Sequence, residues 1–298
     1  MTFCGIDSVT FGVSDMAEAR RFLEDWGLEN NGSSDDCLRY RTRDRTDVLV
    51  RHTADPVLPP AMQEGATLRQ VTWGVADAGA LAALQARLGT DGALADPSGL
   101  SHAFRVSVRV AVQADAQDVN GPGITRRVDA RSPVYERAIP ISIGHVVLFV
   151  DDLDATMDFF VGKLGFAISD SYPGHAAFLR ARTPGPHHDA FVLRRPGKPG
   201  LNHVAFTVSN IHEVFGGGLA MSRKGWETDI GPGRHPISSA YFWYFKSPFG
   251  GSLEYYADDD WCTEAWQPSD FERKPELFAE WAVAGGIDGN TRRQSRAA

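Results

Sequence analysis

The sequence predicts an α+β fold of four βαβββ units arranged as two tandem modules, and three observations carry that prediction. The first is a long-range repeat: Val13-Ser14-Asp15-Met16 leads into AEARRFLEDWGL, and 137 residues later Val150-Asp151-Asp152-Leu153 leads into DATMDFFVGKLGF. In both copies an acidic residue is followed seven positions on by Phe (Asp15 to Phe22, Asp152 to Phe159), and a Gly-apolar pair closes the segment (Gly27-Leu28, Gly165-Phe166). The second is a weaker pair, LRQVTWGVADAGALAAL from Leu68 and LNHVAFTVSNIHEVF from Leu201, offset by 133 residues. The third is the period-two alternation of AAFLRAR, DAFVLRR, YFWYFKS and SLEYYAD between turn residues, which suits strands and not helices.

Taken in order, each unit opens with a short β-rich strand, VTFGV, VTWGV, VVLFV and VAFTV in turn. An Asp or Asn follows, whose side-chain oxygen can accept from the free amides of a helix start. An amphipathic helix of roughly ten to fifteen residues comes next, and strands complete the unit. The N-terminal module is expected over 1–130 and the C-terminal module over 141–284. Pro133 and Pro140 mark a linker at 131–140, and the polar, Gly-rich, basic residues 285–298 read as a frayed tail.

Composition narrows the function classes. With 298 residues, 43% hydrophobic and 10% aromatic, the chain can bury enough apolar surface to offset its ordering entropy, which excludes disorder as the main state. A net charge of −8 argues against a nucleic-acid partner, which calls for a basic face. Cys4, Cys37 and Cys262 are too few and too scattered for a disulfide framework or a Cys-based zinc site and read as buried thiols. The opening MTFCGIDSVTFGV has no cationic region ahead of an apolar stretch, and no run approaches the ~18 apolar residues of a membrane span. A cytoplasmic protein with no membrane partner is the expectation.

The two halves differ in chemistry. Strand residues on one concave face can converge, and in the second half three such positions hold His145, His203 and Glu254. The repeat aligns them with Ser8, Gln70 and, through Pro97 and Gly99, Ala103, none of them a good ligand for a divalent metal. Two neutral imidazoles and a carboxylate with positions left open suit non-haem Fe(II) acting on dioxygen. Each residue alone reads better as a satisfied core histidine or a solvent-facing glutamate. Their joint presence in one copy of a repeat that lacks them in the other favours a site.

Further polar groups surround this set: His187 and His188 at a strand start, His235 in a turn, and Tyr241 and Tyr244 in YFWYF. If YFWYF is a strand, Tyr244 shares a face with Phe242, and Tyr241 with Trp243. Neighbouring strand residues face opposite sides, so only one of His187 and His188 can reach a metal easily, and the bland reading is the stronger one for His187. His175 and His212 fit surface positions or places just behind the site and are given no role, and His52, His102 and the RTRDRTD segment read as solvated loop or strand-edge residues. The aromatic DDDWCTEAW segment either shapes a pocket or packs one.

These residues resemble the type I extradiol ring-cleavage dioxygenases of the vicinal oxygen chelate superfamily over nearly the whole chain. His188 precedes His203 by 15 residues, and His235 is followed by Tyr244 after nine and Glu254 after nineteen. In the family's pattern these places carry a catalytic His, a ligand His, a second active-site His, a Tyr and the ligand Glu. Pro-Ile-Ser-Ser after His235 departs from the polar pair many members have there, which leaves the substrate open. The resemblance implies mixed curved sheets with helices outside and an Fe(II) site in the C-terminal module alone, with His145, His203 and Glu254 as ligands. It also implies catalytic roles for His188, His235 and Tyr244, a catecholic substrate cleaved with O2, and a homo-oligomer. Mn(II) accepts the same donors and is the alternative metal. A metal-dependent isomerase, lyase or hydrolase of the same superfamily and a non-catalytic binder of aromatic ligands are the competing readings.

Overall fold

The structure, a computed structural model, describes residues 3–113 and 119–287. The N-terminal module runs β1 (Phe3–Val13), α1 (Met16–Asp25), β2 (Glu29–Asn30), β3 (Leu38–Arg41), β4 (Asp47–His52), β5 (Thr67–Val75), α2 (Ala78–Leu88), β6 (Leu94–Ala95) and β7 (Ser101–Val106). The C-terminal module opens with β8 (Ser142–Val150) and α3 (Leu153–Met157), which continues as a π-helical stretch over Asp158–Leu164. It goes on through β9 (Ala167–Tyr172), β10 (Ala176–Arg180), β11 (Gly185–Pro186), β12 (Ala190–Arg194), β13 (Gly200–Thr207) and α4 (Ile211–Arg223). It ends with β14 (Thr228–Arg234), β15 (Tyr241–Lys246), β16 (Ser252–Ala257), β17 (Trp261–Cys262), β18 (Ser269–Asp270) and β19 (Trp281–Ala284).

The four α-helices among the described residues start on the caps the sequence offers. Asp15, Asp77, Asp152 and Asn210 accept from the backbone N–H three residues on, at 2.8, 2.8, 3.0 and 3.1 Å. Each cap satisfies an amide that no helical carbonyl can reach. Gly165 closes the π-helical stretch at φ 80°, in the left-handed region where an L side chain is strained, which accounts for the Gly-apolar signature there.

The modules repeat one pairing scheme. β1 pairs parallel with β4 and antiparallel with β5, and β5 pairs parallel with β7; β8, β12, β13 and β16 reproduce this. The sheets run β2-β3-β4-β1-β5-β7-β6 and β18-β9-β10-β12-β8-β13-β16-β15-β14-β19. The second unit departs from the prediction. It carries two strands after its helix where β14, β15 and β16 follow α4, because only residues 89–93 separate α2 from β6.

Between Val106 and Ser142 the described residues form no helix or strand apart from a bridge between Gly121 and Ile124. The stretch expected as a linker, 131–140, is the end of this longer crossing. Of the expected tail, residues 288–298 lie outside the described residues. No helix among the described residues is long and apolar enough to cross a membrane.

The modules join through aromatic residues carried by their first helices. From α1, Trp26 stacks on Tyr255 of β16 at 3.6 Å and packs against Phe206 and Phe245, while Phe22 meets Phe249. The Tyr255 hydroxyl donates to the Trp26 carbonyl at 2.7 Å. Reciprocally, Phe159 and Phe160 lie against His102 of β7, and Phe166 against Phe3 and Trp73. Two expectations are corrected here. His102 is fully buried, taking the Trp73 indole N–H at 3.0 Å and facing Asp96 at 3.3 Å, so it is a satisfied core histidine and not a solvated one. RTRDRTD is likewise partly interior: Thr42, Asp44 and Thr46 bond one another, and the Ile143 amide donates to Thr46 Oγ1, tying the turn to β8. Cys37 and Cys262 are buried free thiols, and Cys4 is a partly exposed one.

Candidate active site

One row of residues crosses the large sheet. Tyr244 on β15 is paired with Glu254 on β16, Glu254 with Ala205 on β13, and Ala205 with His145 on β8. His203 lies two residues before Ala205 and so projects on the same face. The small Ala205 side chain between them is buried with Ala240 and Tyr256. In the N-terminal module the corresponding row is Ser8, Thr72 and Ala103, so Ala103 matches Glu254 by register.

His145, His203 and Glu254 are buried, and their ligand atoms face one another. His203 Nε2 and His145 Nε2 are 3.3 Å apart, and each lies 3.2 Å from Glu254 Oε2. A point about 1.9 Å from all three atoms exists, close to the roughly 2.0–2.2 Å bonds that imidazole and carboxylate make to a transition metal. Glu254 Oε2 and His145 Nδ1 are buried without a hydrogen-bond partner among the described residues. An unsatisfied buried carboxylate oxygen facing two imidazole nitrogens is costly unless a cation completes it. The Asn202 side-chain oxygen lies 2.6 Å from His203 Nδ1; accepting a proton there, it leaves the Nε2 lone pair turned to the centre.

Burial sets the charge states. It lowers the His145 pKa in spite of Glu254. Burial opposes charge on Glu254 too, but the His145 and His203 nitrogens facing it outweigh that and hold the carboxyl below the usual carboxylate range. Neutral imidazoles and an ionised carboxylate are the forms that ligate a metal.

Around this triad stand the other predicted residues. The His188 ring lies 4.1 Å from that of His145, and its pKa is pushed well below the imidazole range by burial and by the surrounding histidines. His235 donates from Nδ1 to the Phe278 carbonyl at 2.6 Å, which leaves its Nε2 to accept the Tyr244 hydroxyl proton at 3.0 Å. Burial, with Glu254 alongside, raises Tyr244 well above the phenol range, and burial lowers His235, so this pair is neutral. Tyr244 and Phe242 share a face, and Trp243 points the other way against Gly218 of α4.

All six predicted residues line one cavity of about 810 Å³. Phe178 and Phe191, stacked at 3.9 Å, form part of its apolar wall, and Arg194, Arg273 and Lys274 stand on its exposed side. His187 does not line it: fully buried, it turns to Asp170. Tyr241 also stays outside, beside Trp281. In DDDWCTEAW, Trp266 packs behind His187 and does not line the cavity. The sequence reading missed Asn202 and the wall formed by Arg273–Phe278. Asn202 was within reach as the neighbour of His203, whereas the charged FERKPELF run gives no local signal of a wall.

The chain is similar to several known proteins in sequence and in fold. Residues 142–255 match the model of the family described as the Glyoxalase/Bleomycin resistance protein/Dioxygenase superfamily. The chain is 29% identical to metapyrocatechase 2 of Cupriavidus necator over 288 residues, covering 93% of this chain and 88% of that protein. Its fold is that of an Mn(II)-bound glyoxalase from Novosphingobium aromaticivorans, with a TM-score of 0.76 at 23% identity over 96% of this chain and 93% of the other. It is also that of homoprotocatechuate 2,3-dioxygenase from Arthrobacter globiformis, with a TM-score of 0.69 at 18% identity over 93% and 87% of the two chains.

Proposed function

We propose, from that family match over residues 142–255 and the likeness to a metapyrocatechase, that this chain is an Fe(II)-dependent extradiol dioxygenase. It opens a catechol-type ring beside its diol and takes up both atoms of O2. The observation that carries the reading is the convergence of His145, His203 and Glu254 on one point, with Glu254 Oε2 left unsatisfied, in the wall of a cavity that also holds His188, His235 and Tyr244. Two imidazoles and a carboxylate on one face leave the remaining coordination positions open, the arrangement that suits Fe(II) in oxygen chemistry.

Fe(II) held by these three residues would make catechol hydroxyls more acidic and would supply the redox chemistry that O2 requires. The chain's own groups do the rest. The hydrogen-bonded pair Tyr244 and His235, anchored on the Phe278 carbonyl, orients the diol and shares a hydroxyl proton. His188, kept neutral by burial, accepts and returns a proton during ring opening. Phe178 and Phe191 pack the flat ring and exclude water.

The test is anaerobic loading with Fe(II), then O2 uptake against a panel of monocyclic and bicyclic catechols. One O2 consumed per catechol, with a yellow ring-opened product, is the expected result. Iron bound without O2 uptake on any catechol would move the assignment to Lewis-acid chemistry or to ligand binding alone.

A further inference from the structure

His187, outside the cavity and at first sight a packing residue, is held at every polar atom. Its Nε2 lies 2.8 Å from Asp170 Oδ2 and its Nδ1 lies 3.1 Å from His188 Nδ1. Its amide donates to Asp259 Oδ2 at 3.2 Å, and its carbonyl accepts from Ser169 Oγ. Asp170 is fixed in turn, because its other oxygen takes the Ser269 amide at 2.7 Å. His187 is fully buried and Asp170 nearly so.

Proton bookkeeping along this row has one solution for neutral rings. An ionised carboxylate only accepts, so the His187 proton sits on Nε2, facing Asp170. His187 Nδ1 then carries a lone pair, and the short Nδ1 to Nδ1 contact needs a proton from the other ring. That proton is on His188 Nδ1, which leaves a lone pair on His188 Nε2. We propose that Asp170 and His187 are positioning residues that fix the Nδ1–H tautomer of His188, so that its Nε2 serves the cavity as a proton acceptor. The alternative tautomer would place a proton on Nε2 and remove the acceptor from the cavity side. The inference about tautomer stands on the geometry alone, and its effect on turnover rests on the acid–base reading of His188 given above.

Nitrogen-15 NMR of imidazole side chains distinguishes the two neutral tautomers directly. The probe is the full-length chain with Zn(II) in place of Fe(II) and labelled histidine, the His188 signals being identified by their loss in His188→Gln. Wild type is expected to show His188 as Nδ1–H and His187 as Nε2–H. Asp170→Asn keeps the shape and the bond from Ser269 but can donate an amide proton to His187 Nε2. Both rings are then expected to switch, His187 to Nδ1–H and His188 to Nε2–H. In the Fe(II) enzyme kcat should fall about 10–100-fold, the usual range for a lost second partner, with KM little changed.

A His188 Nε2–H signal in wild type overturns the proposal, and that spectrum is readable even if Asp170→Asn does not fold. So does an Asp170→Asn chain whose tautomers stay as in wild type. His187→Asn gives a further check: its side-chain oxygen takes the place of Nδ1 as acceptor but cannot reach Asp170. It should keep His188 as Nδ1–H, and adding Asp170→Asn should then change neither tautomer nor kcat further; an additional drop contradicts the chain of contacts. Switched tautomers with wild-type turnover in Asp170→Asn would leave the positioning chain standing and remove the acid–base role from His188.

Discussion

In the N-terminal module Ser8, Thr72 and Ala103 stand side by side, and in the C-terminal module the same row reads His145, Ala205 and Glu254. The backbone pairing is the same in both, and the caps at Asp15, Asp77, Asp152 and Asn210 are equivalent. In the first module Gln70 satisfies itself on Ser101 Oγ at 3.0 Å, so that face has no unpaired ligand set. In the second, Glu254 Oε2 is left for a cation. The sheet supplies the places, and three side chains supply the chemistry. The first module contributes burial, since Trp26 and Phe22 cover the outer face of the sheet that carries the site.

The sharpest way to break this asymmetry is to remove the triad. His145→Ala, His203→Ala or Glu254→Ala should each abolish metal retention and O2 uptake with the fold intact, whereas Ser8→Ala should keep one metal ion per chain. Metal analysis with circular dichroism checks both, and two tightly held ions in wild type would contradict a site-free first module. Next comes His188→Phe, expected to keep metal and anaerobic catechol binding but to lower turnover by roughly 10²–10⁴-fold. Single-turnover mixing with O2 locates the defect, and loss of catechol binding would move the role elsewhere.

The structural partnership is tested by Trp26→Ala, which empties the place of a fully buried ring stacked on Tyr255. A loss of about 3–5 kcal/mol is expected in denaturant unfolding. A loss below about 1 kcal/mol, the scale of an ordinary surface change, would mean that the modules do not depend on each other. The smallest effect is expected for Tyr244→Phe, which removes the hydroxyl that bonds His235 and keeps the ring. One neutral hydrogen bond contributes about 0.5–1.5 kcal/mol, so kcat/KM should fall roughly two- to tenfold. A loss as large as that of His188→Phe would make the phenol an acid–base group in its own right.

Much of this was readable before the structure because it is written in periodicity and spacing. The 137-residue offset carries the paired strands and caps, and period-two alternation put Tyr244 and Phe242 on one face. His188 lines the cavity and His187 does not, but both sit in the bend between β11 and β12 and not in a strand, and alternation is silent on the turn that brings their Nδ1 atoms to 3.1 Å. Other features depend on contacts far apart in sequence. The burial of His102 comes from Phe159 and Phe160 of the other module, and the missing strand of the second unit shows only as a short spacer. The charged run 271–278 has no apolar period, and its Phe278 meets His235 both through a backbone carbonyl that any residue could provide and through a ring that only the fold brings there.

That carbonyl has a consequence for how the protein is made. Translation delivers the N-terminal module first, and it can pair its strands while the rest is still being synthesised. His145, His203 and Glu254 follow in turn, yet His235 is not anchored until Phe278 has emerged, and β19 joins β14 only after that. The nascent chain can therefore gather its ligand residues well before it can complete the cavity around them. Competence waits on residue 278, and a ribosome-bound chain stalled before it holds its ligand residues without the finished site.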